Sequence, residues 1–324
     1  MAIIEEFRKL AKSKNSTIVF PEGEEERVIK AAIFLAKNEL VKPILLGSHD
    51  KVKSLAKSID FDELKIEIID PPISEYCQPW ANSYYEMRKH KGMTPEQADQ
   101  AIKNPLYFGA FMLKEGLADG AVAGSINTTG DVLRAAIQIV GLAPNVSVVS
   151  SSFIMALKND KILTFADCAV IPDPDEEQLA SIAISSANTH KKLVESEPYV
   201  AMLSFSTKGS AEHPLVEKVI NAKNIVQQKQ PDLKIDGELQ FDAAFIEQIG
   251  KRKAPDSKVA GKANVFIFPD LNSGNIGYKL TERIGEAQAI GPVIQGLAKP
   301  YNDLSRGCSV EDVINVACIC AILA

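Results

Sequence analysis

The sequence has little of what several classes of protein need. Aromatic residues make up only 6% of the chain and the net charge is −6, which argues against stacking surfaces for single-stranded nucleic acid and against general nucleic-acid binding. The longest apolar runs, residues 146–157 and 313–324, are shorter than the ~18 residues that a membrane-spanning helix needs. Residues 1–15 lack the apolar core of a secretory signal. We therefore predict a cytoplasmic protein that binds neither nucleic acid nor membranes.

Side chains typical of metal sites and of covalent catalysis are also scarce. The five cysteines form no CxxC pair and one of them would stay unpaired in any disulfide scheme, so they indicate reduced thiols rather than a disulfide framework or a zinc site. Cys168 has no adjacent histidine or lysine that would lower its pKa, which favours a small buried thiol over an acyl-carrying nucleophile. The four histidines are scattered, which disfavours a Ser-His-Asp hydrolase.

Short β-branched runs alternate with amphipathic stretches along the chain, a pattern that predicts an α/β protein with mainly parallel sheets. The predicted strands are residues 17–20, 43–47, 65–70, 121–124, 146–150, 162–165, 200–205 and 264–268. The predicted helices include residues 24–37, 75–91, 105–117, 131–140, 175–192 and 212–228. At 324 residues the chain exceeds what one core usually covers, and Gly/Pro-rich boundaries at 141–144 and 291–296 indicate two domains.

A hydroxyl, a guanidinium and a carboxylate lie close together in residues 305–312. Ser309 and Asp312 match a capping pair, which places Asp312 in the first turn of the last helix, where the helix dipole favours an ionised carboxylate. Such a carboxylate is a candidate base, and Ser305 and Arg306 precede it. The alternative is that Ser309 and Asp312 only begin the helix while Arg306 pairs with a surface acid.

A second polar cluster, residues 124–131, follows a predicted strand and opens a helix. Its backbone N–H groups, the hydroxyls of Ser125, Thr128 and Thr129, and the positive end of the helix outline an anion site. The cluster matches neither the dinucleotide motif GxGxxG nor the P-loop. A plain turn and cap explains it nearly as well, although Arg134, one turn inside the helix, can bring a guanidinium to a bound anion.

Together these segments resemble the phosphate acetyltransferase, or phosphotransacetylase, family. The segments that carry the resemblance are FPEGEEERVIKAA (20–32), GSINTTGDVLRAA (124–136), FADCAV (165–170), FPDLNSGNIGYKLTERIGEAQAIGPVIQGLAKP (268–300) and SRGCSVEDV (305–313). The resemblance implies two α/β domains like those of isocitrate and isopropylmalate dehydrogenases, with the active site in the cleft between them. Domain one would comprise residues 1–144 plus 297–324, and domain two residues 145–296.

The resemblance also implies a homodimer formed through domain two. The apolar residues 146–157 offer part of a buried seam for such a dimer. The same residues are equally typical of a central strand buried within its own sheet.

The reaction that the family implies is acetyl-CoA + phosphate ⇌ acetyl phosphate + CoA, with coenzyme A, acetyl phosphate and inorganic phosphate as the ligands and no metal or prosthetic group. Asp312 would be the base that deprotonates the thiol of CoA. Ser305 would bind the carbonyl oxygen or orient the thiol, and Arg306 would bind the phosphoryl group. Arg283 and Arg134 would anchor phosphate and CoA.

A further arginine, Arg88, matches by position a family arginine associated with CoA. Here the neighbouring residues 89–91 are also basic, so a solvated basic face explains Arg88 equally well.

Three other functions share parts of this pattern. Phosphate butyryltransferase uses the same chemistry, and one methylene discriminates between acyl groups by only about 1–3 kcal/mol. A catalytically silent acetyl-CoA sensor shares the fold, but Ser305, Arg306 and Asp312 together favour an enzyme. A decarboxylating hydroxyacid dehydrogenase shares the two-domain architecture, but the sequence has no dinucleotide fingerprint and no paired metal-binding aspartates.

Overall fold

The computed structural model describes residues 2–56 and 61–324. The chain divides into two compact units: Met1–Gly141 with Leu297–Ala324 (unit 1), and Leu142–Gly296 (unit 2). The predicted α/β class with mainly parallel sheets is confirmed. The two units divide after Gly141 and after Gly296, and the sequence analysis places its two domain boundaries after residues 144 and 296.

The helices are α1 (Ala2–Lys14), α2 (Glu26–Lys37), α3 (His49–Ala56), α4 (Cys77–Arg88), α5 (Pro95–Lys103), α6 (Pro105–Lys114), α7 (Thr129–Ile139), α8 (Glu176–Val194), α9 (Pro214–Lys229), α10 (Phe241–Phe245), α11 (Glu247–Lys253), α12 (Leu271–Arg283) and α13 (Val310–Leu323). The strands are β1 (Thr17–Phe20), β2 (Lys42–Leu46), β3 (Glu67–Ile69), β4 (Gly120–Ala123), β5 (Ser150–Ala156), β6 (Ile162–Ala166), β7 (Tyr199–Leu203), β8 (Lys234–Leu239), β9 (Val265–Ile267), β10 (Gln288–Gln295) and β11 (Tyr301–Asp303).

Unit 1 is built on a wholly parallel five-stranded sheet in the order β11-β4-β1-β2-β3. Helix α13 is apolar on nearly every side and has nine buried residues, because it packs against α1, α2 and the strand β4. An aromatic cluster around Trp80, Tyr84, Phe108 and Phe111 forms part of a second buried layer. Burial on both faces is what a parallel sheet requires.

Unit 2 is a six-stranded sheet in the order β10-β5-β6-β9-β7-β8, parallel except where β5 pairs with β10 and β6. The prediction of a strand at residues 146–150 is wrong: the strand begins at Ser150 and ends at Ala156. Residues 146–149 lie outside the ladder, beside the bend at Gly296. Because β5 is buried and paired along both edges, the interpretation of this stretch as a strand within its own sheet is confirmed for residues 150–156.

The topology of unit 1 brings three loops to one edge of its sheet. Strands β11, β4 and β1 are adjacent and parallel, so their carboxyl ends at Asp303, Ala123 and Phe20 lie side by side. Ligands of open α/β sheets bind at this carboxyl edge. Among the described residues, none of the helices combines the length and the apolar character needed to cross a lipid bilayer.

Candidate active site

Three short segments of unit 1 meet at the carboxyl edge of the sheet. We call them the Glu22 segment (residues 21–27, after β1), the Ser125 loop (residues 124–128, after β4) and the Ser305 segment (residues 304–309, after β11). Gly124 adopts a positive φ of 101°, and a Cβ there would collide with the Asp303 carboxylate and the Leu304 backbone. Only glycine therefore allows the Ser125 loop to approach the end of β11 this closely.

The Ser125 loop encloses a carboxylate of the chain itself. Glu22 is 4% exposed. Its carboxylate accepts hydrogen bonds from the backbone N–H groups of Ser125 (2.6 Å), Ile126 (3.1 Å) and Asn127 (2.8 Å), and from the Ser125 hydroxyl and the Asn127 side chain. Burial disfavours the charged form, but the hydrogen bonds from Ser125 and Asn127 outweigh it and lower the pKa of Glu22. The backbone N–H groups that the sequence indicated as a site for a bound anion therefore bind a carboxylate of the chain itself.

The three hydroxyls predicted to bind a ligand also have partners within unit 1. The Ser125 hydroxyl is buried against Glu22. Thr128 is the N-cap of α7 and exchanges hydrogen bonds with Asp131, and the Thr129 hydroxyl donates to Asp303 Oδ2 (2.6 Å). In this conformation Ser125 has no surface for a ligand. Thr128 and Thr129 are exposed, and their ligand contacts stay predictions.

The Ser305 segment presents its functional groups to solvent. Ser305 and Arg306 are both exposed, and the Ser305 hydroxyl accepts a hydrogen bond from the Gly307 N–H (3.2 Å). Within residues 2–56 and 61–324, the Arg306 guanidinium forms no ion pair. The surface pair with an acid that the sequence left open is therefore not formed, and the guanidinium faces water.

Asp312 begins the last helix as the sequence predicts. Its Oδ2 accepts from the Ser309 N–H (2.8 Å) and hydroxyl (2.9 Å), and the Ser309 hydroxyl accepts from the Asp312 N–H (3.2 Å). This reciprocal capping box is confirmed. Oδ1 of Asp312 receives no hydrogen bond from any residue that the structure describes, so the capping box uses only one of the two carboxylate oxygens.

The predicted anchoring arginines lie in different places. Arg134 is exposed on α7 and pairs with Asp131 (2.8 Å). Arg88 ends α4 and is half-buried, and its buried Nε has no hydrogen-bond partner in the described part of the chain. Lys89, by contrast, is exposed and pairs with Glu86. Both arginines belong to unit 1, together with the Ser305 segment.

Arg283 belongs to unit 2 and ends α12. Its side chain is 80% exposed and lies 3.4 Å from Glu282. An exposed ion pair between neighbouring residues holds a guanidinium only weakly. Arg283 is therefore free to exchange Glu282 for a phosphate group, and its role at the substrate stays a prediction.

Cys168 is a buried thiol, as the sequence predicts. It is completely buried, and burial raises its pKa well above the usual range. All five cysteines are free and buried. No group of histidine, cysteine, aspartate and glutamate residues that could hold a metal ion occurs among the described residues.

Sequence reasoning missed Glu22, Arg27 and Asp303. The first two lie in the FPEGEEER motif, which marked the family but received no role. Asp303 ends a three-residue strand that the sequence did not predict. It is buried beside Thr129, and burial, together with the charge of Glu22, raises its pKa to about 6 against the hydrogen bond from Thr129. The available signal was position alone: each residue lies at the carboxyl end of a parallel strand or a few residues beyond it.

Asp303→Asn should stabilise the protein at high pH and not at low pH. The folded-state pKa of Asp303 is raised from 3.8 to about 6, so the stability that its neutral form contributes is fully present below pH ~4 and is lost as the pH rises through about 6. We expect a gain of about 3 kcal/mol in the free energy of unfolding at pH 8, and little difference from the parent at pH 4. Urea unfolding of both proteins at the two pH values measures this. An equal difference at both would show that Asp303 does not titrate in this range.

Comparison with known proteins identifies the family. The model of the family described as phosphate acetyl/butaryl transferase matches residues 2–321. The chain belongs to this family. This confirms the family predicted from the sequence. It also confirms the prediction that the chain is an acyltransferase.

Individual relatives agree over the full length. A phosphate acetyltransferase of Thermoanaerobacterium thermosaccharolyticum is 51% identical over 329 aligned residues, covering 100% of both chains. A phosphotransacetylase structure from Streptococcus pyogenes superposes with a TM-score of 0.94 at 46% identity, covering 99% of this chain and 97% of that one. A 4-hydroxythreonine-4-phosphate dehydrogenase from Klebsiella pneumoniae has a TM-score of 0.53 at 10% identity, covering 96% and 100% of the two chains, and shares the fold alone. The dehydrogenase-like architecture is thus confirmed.

Proposed function

We propose that this chain transfers an acetyl group between coenzyme A and phosphate: acetyl-CoA + phosphate ⇌ acetyl phosphate + CoA. The relatives that match over the whole chain are phosphate acetyltransferases. The observation that carries the proposal within the structure is the Ser305 segment. It presents an exposed hydroxyl and an exposed guanidinium that pairs with no acid among the described residues, and Asp312 follows with one carboxylate oxygen outside the capping box.

In our mechanism Asp312 acts as the base. A thiol with an ordinary pKa of ~8.5 is mostly protonated at neutral pH, so the CoA thiol must lose its proton to the carboxylate before it attacks. The sulfur then forms a bond to the acetyl carbon of acetyl phosphate, and the negative charge moves to the carbonyl oxygen. When the carbonyl double bond forms again, the bond between the acetyl carbon and the phosphate oxygen breaks, and phosphate leaves with the electron pair. Both products form in one ternary complex.

The other site residues stabilise charge in this scheme. The Ser305 hydroxyl donates to the developing oxyanion or orients the thiol, and Arg306 binds the phosphoryl group. Arg134, Arg88 and Arg283 hold the phosphates of CoA and acetyl phosphate. Of these arginines, Arg134 and Arg88 belong to unit 1 and Arg283 belongs to unit 2. A homodimer formed through unit 2 is part of the same proposal, and light scattering at micromolar concentration tests it.

Release of CoA from acetyl-CoA, measured with and without phosphate or arsenate, tests the function. We expect release that depends on the oxyanion and is faster with acetyl-CoA than with butyryl-CoA. Faster turnover of butyryl-CoA would make the chain a butyryltransferase. Binding of acetyl-CoA without release would make it a sensor. NAD-dependent oxidation of a hydroxyacid without CoA release would favour a dehydrogenase.

Cys168→Ala should keep most of the activity, because the mechanism has no acetylated-enzyme intermediate and the thiol is buried with a raised pKa. Initial rates measured against both substrates should give intersecting lines, and mass spectrometry after mixing with acetyl phosphate should find no acetylated protein. An acetyl thioester on Cys168, or a parallel-line pattern, would replace direct transfer with a ping-pong route.

A further inference from the structure

Arg27 links all three segments of the candidate site. It lies in the first turn of α2, where Glu25 is the N-cap. Its Nη1 donates to the backbone carbonyls of Arg306 (2.9 Å) and Cys308 (2.8 Å), and its Nη2 donates to the carbonyl of Ser125 (3.0 Å). One side chain therefore ties the Ser305 segment to the Ser125 loop.

The guanidinium is itself held in place. Its Nε donates to Glu25 Oε1 (2.7 Å), while Glu25 Oε2 accepts from the Arg27 N–H (2.7 Å) and the Val28 N–H (3.1 Å) at the start of α2. The Arg27 side chain is 29% exposed. The same carboxylate thus begins the helix and fixes the direction of the arginine that the helix carries.

These contacts leave Arg27 little capacity to bind a substrate. A guanidinium has five N–H donors, and hydrogen bonds within unit 1 use four of them. Two-point binding of a phosphate, which needs a pair of free parallel donors, is not possible in this arrangement. The residue is therefore suited to hold other groups rather than to hold a ligand.

We propose that Arg27 is a positioning residue for acetyl transfer: by clamping the carbonyls on either side of Gly307 to the Ser125 loop, it fixes where Ser305 and Arg306 point. The inference rests on the proposed function. The Ser305 segment lies between β11 and α13 without a ladder of its own, and its internal backbone bond runs from the Cys308 N–H to the Ser305 carbonyl (2.9 Å). A reacting group misplaced by ~1 Å can slow catalysis by about 10²-fold.

The test compares Arg27→Lys and Arg27→Gln with the control Arg8→Gln. Arg8 also bonds to α13, through the side chains of Glu311 and Asn315, and among the described residues none of its hydrogen bonds or ion pairs reaches the Ser305 segment. Lysine keeps the charge of Arg27 but not the planar fork. We expect kcat to fall about 10–100-fold in both Arg27 variants, with KM values changed less than ~3-fold, and Arg8→Gln to stay within ~3-fold of the parent.

Cys308 supplies a readout that does not depend on activity. Its thiol is 6% exposed and lies 3.6 Å from Arg27 Nη1, so release of the clamp should let a thiol reagent label it about 10-fold faster, with Cys308→Ser identifying the labelled site. Adding guanidinium to Arg27→Ala should slow the labelling and restore part of kcat. Thermal unfolding shows which variants are folded. If Arg27→Gln is not folded, the milder change Arg27→Lys is used for the comparison with the parent.

Three results would overturn the proposal: a kcat within ~3-fold of the parent in folded Arg27 variants, a loss confined to KM, which would make Arg27 a substrate anchor, or a Cys308 thiol that stays as unreactive as in the parent. If the parent protein releases no CoA, the proposed function fails. Labelling of Cys308 would still decide whether Arg27 holds the Ser305 segment.

Discussion

Asp312→Asn should lower kcat by a factor on the order of 10²–10⁴ and leave KM nearly unchanged. Asparagine keeps the shape of the side chain and can still accept the hydrogen bonds that Ser309 donates to Oδ2, so the helix start survives. What it loses is the carboxylate oxygen that would take the proton of the thiol. Steady-state rates of CoA release at pH 7 measure the effect. Turnover within ~10-fold of the parent would remove Asp312 from the mechanism.

Two variants separate the base from the helix cap. Glu311→Gln neutralises an exposed carboxylate in the same helical turn, so it controls for a general change in local charge and should keep kcat. Ser309→Ala removes the capping hydroxyl but leaves the carboxylate; we expect it to cost about 1 kcal/mol of stability and much less activity than Asp312→Asn. Equal losses of kcat in Ser309→Ala and Asp312→Asn would show that the cap, rather than the base, matters.

Glu22→Ala should lower the free energy of unfolding by about 3–5 kcal/mol. The substitution removes the acceptor for three backbone N–H groups, a hydroxyl and a side-chain amide, all next to a carboxylate that is only 4% exposed. A buried donor without a partner costs roughly 1–3 kcal/mol. Denaturant unfolding followed by circular dichroism measures the loss.

Glu24→Ala is the matched control for this prediction. Glu24 lies in the same segment, accepts from the Ser48 N–H (2.9 Å) and pairs with Lys51 (3.2 Å), but its side chain is 38% exposed. Water can replace these contacts, so we expect a cost below ~1 kcal/mol. If both variants lost the same stability, the Glu22 carboxylate would not be what organises the Ser125 loop.

The sequence predicted strands well where β-branched residues are continuous and failed where the surroundings impose the strand. Thr17–Phe20 is observed as predicted. Strand β8 was missed because its centre is Asp236, Gly237 and Glu238, residues disfavoured in strands. Strand β10 was missed because Gly291-Pro292 suggests a break; in the sheet this pair lies at a shift in register between Ile290 and Val293. In each case pairing with distant strands overrides local preference.

In the candidate site, too, the sequence predicted contacts between near neighbours and missed contacts between distant residues. The capping box at Ser309 and Asp312 depends on residues three apart, so local sequence predicts it. The partner of the Ser125 loop is 103 positions away, at Glu22, and no local pattern shows that an internal carboxylate fills a cradle typical of phosphate sites. Arg27 and Arg306 are 279 positions apart. Only the adjacency of parallel strands brings these groups together.

The order of strands in unit 1 also bears on how the protein is made. Its sheet ends with β11 and its core with α13, both of which come after the entire contiguous unit 2 in the chain. A polypeptide that elongates from its N-terminus can complete unit 2 while unit 1 still lacks an edge strand and its most apolar helix. Ser305, Arg306 and Asp312 arrive with those last elements. The nascent chain therefore acquires its candidate catalytic groups in the same step that closes the core of unit 1.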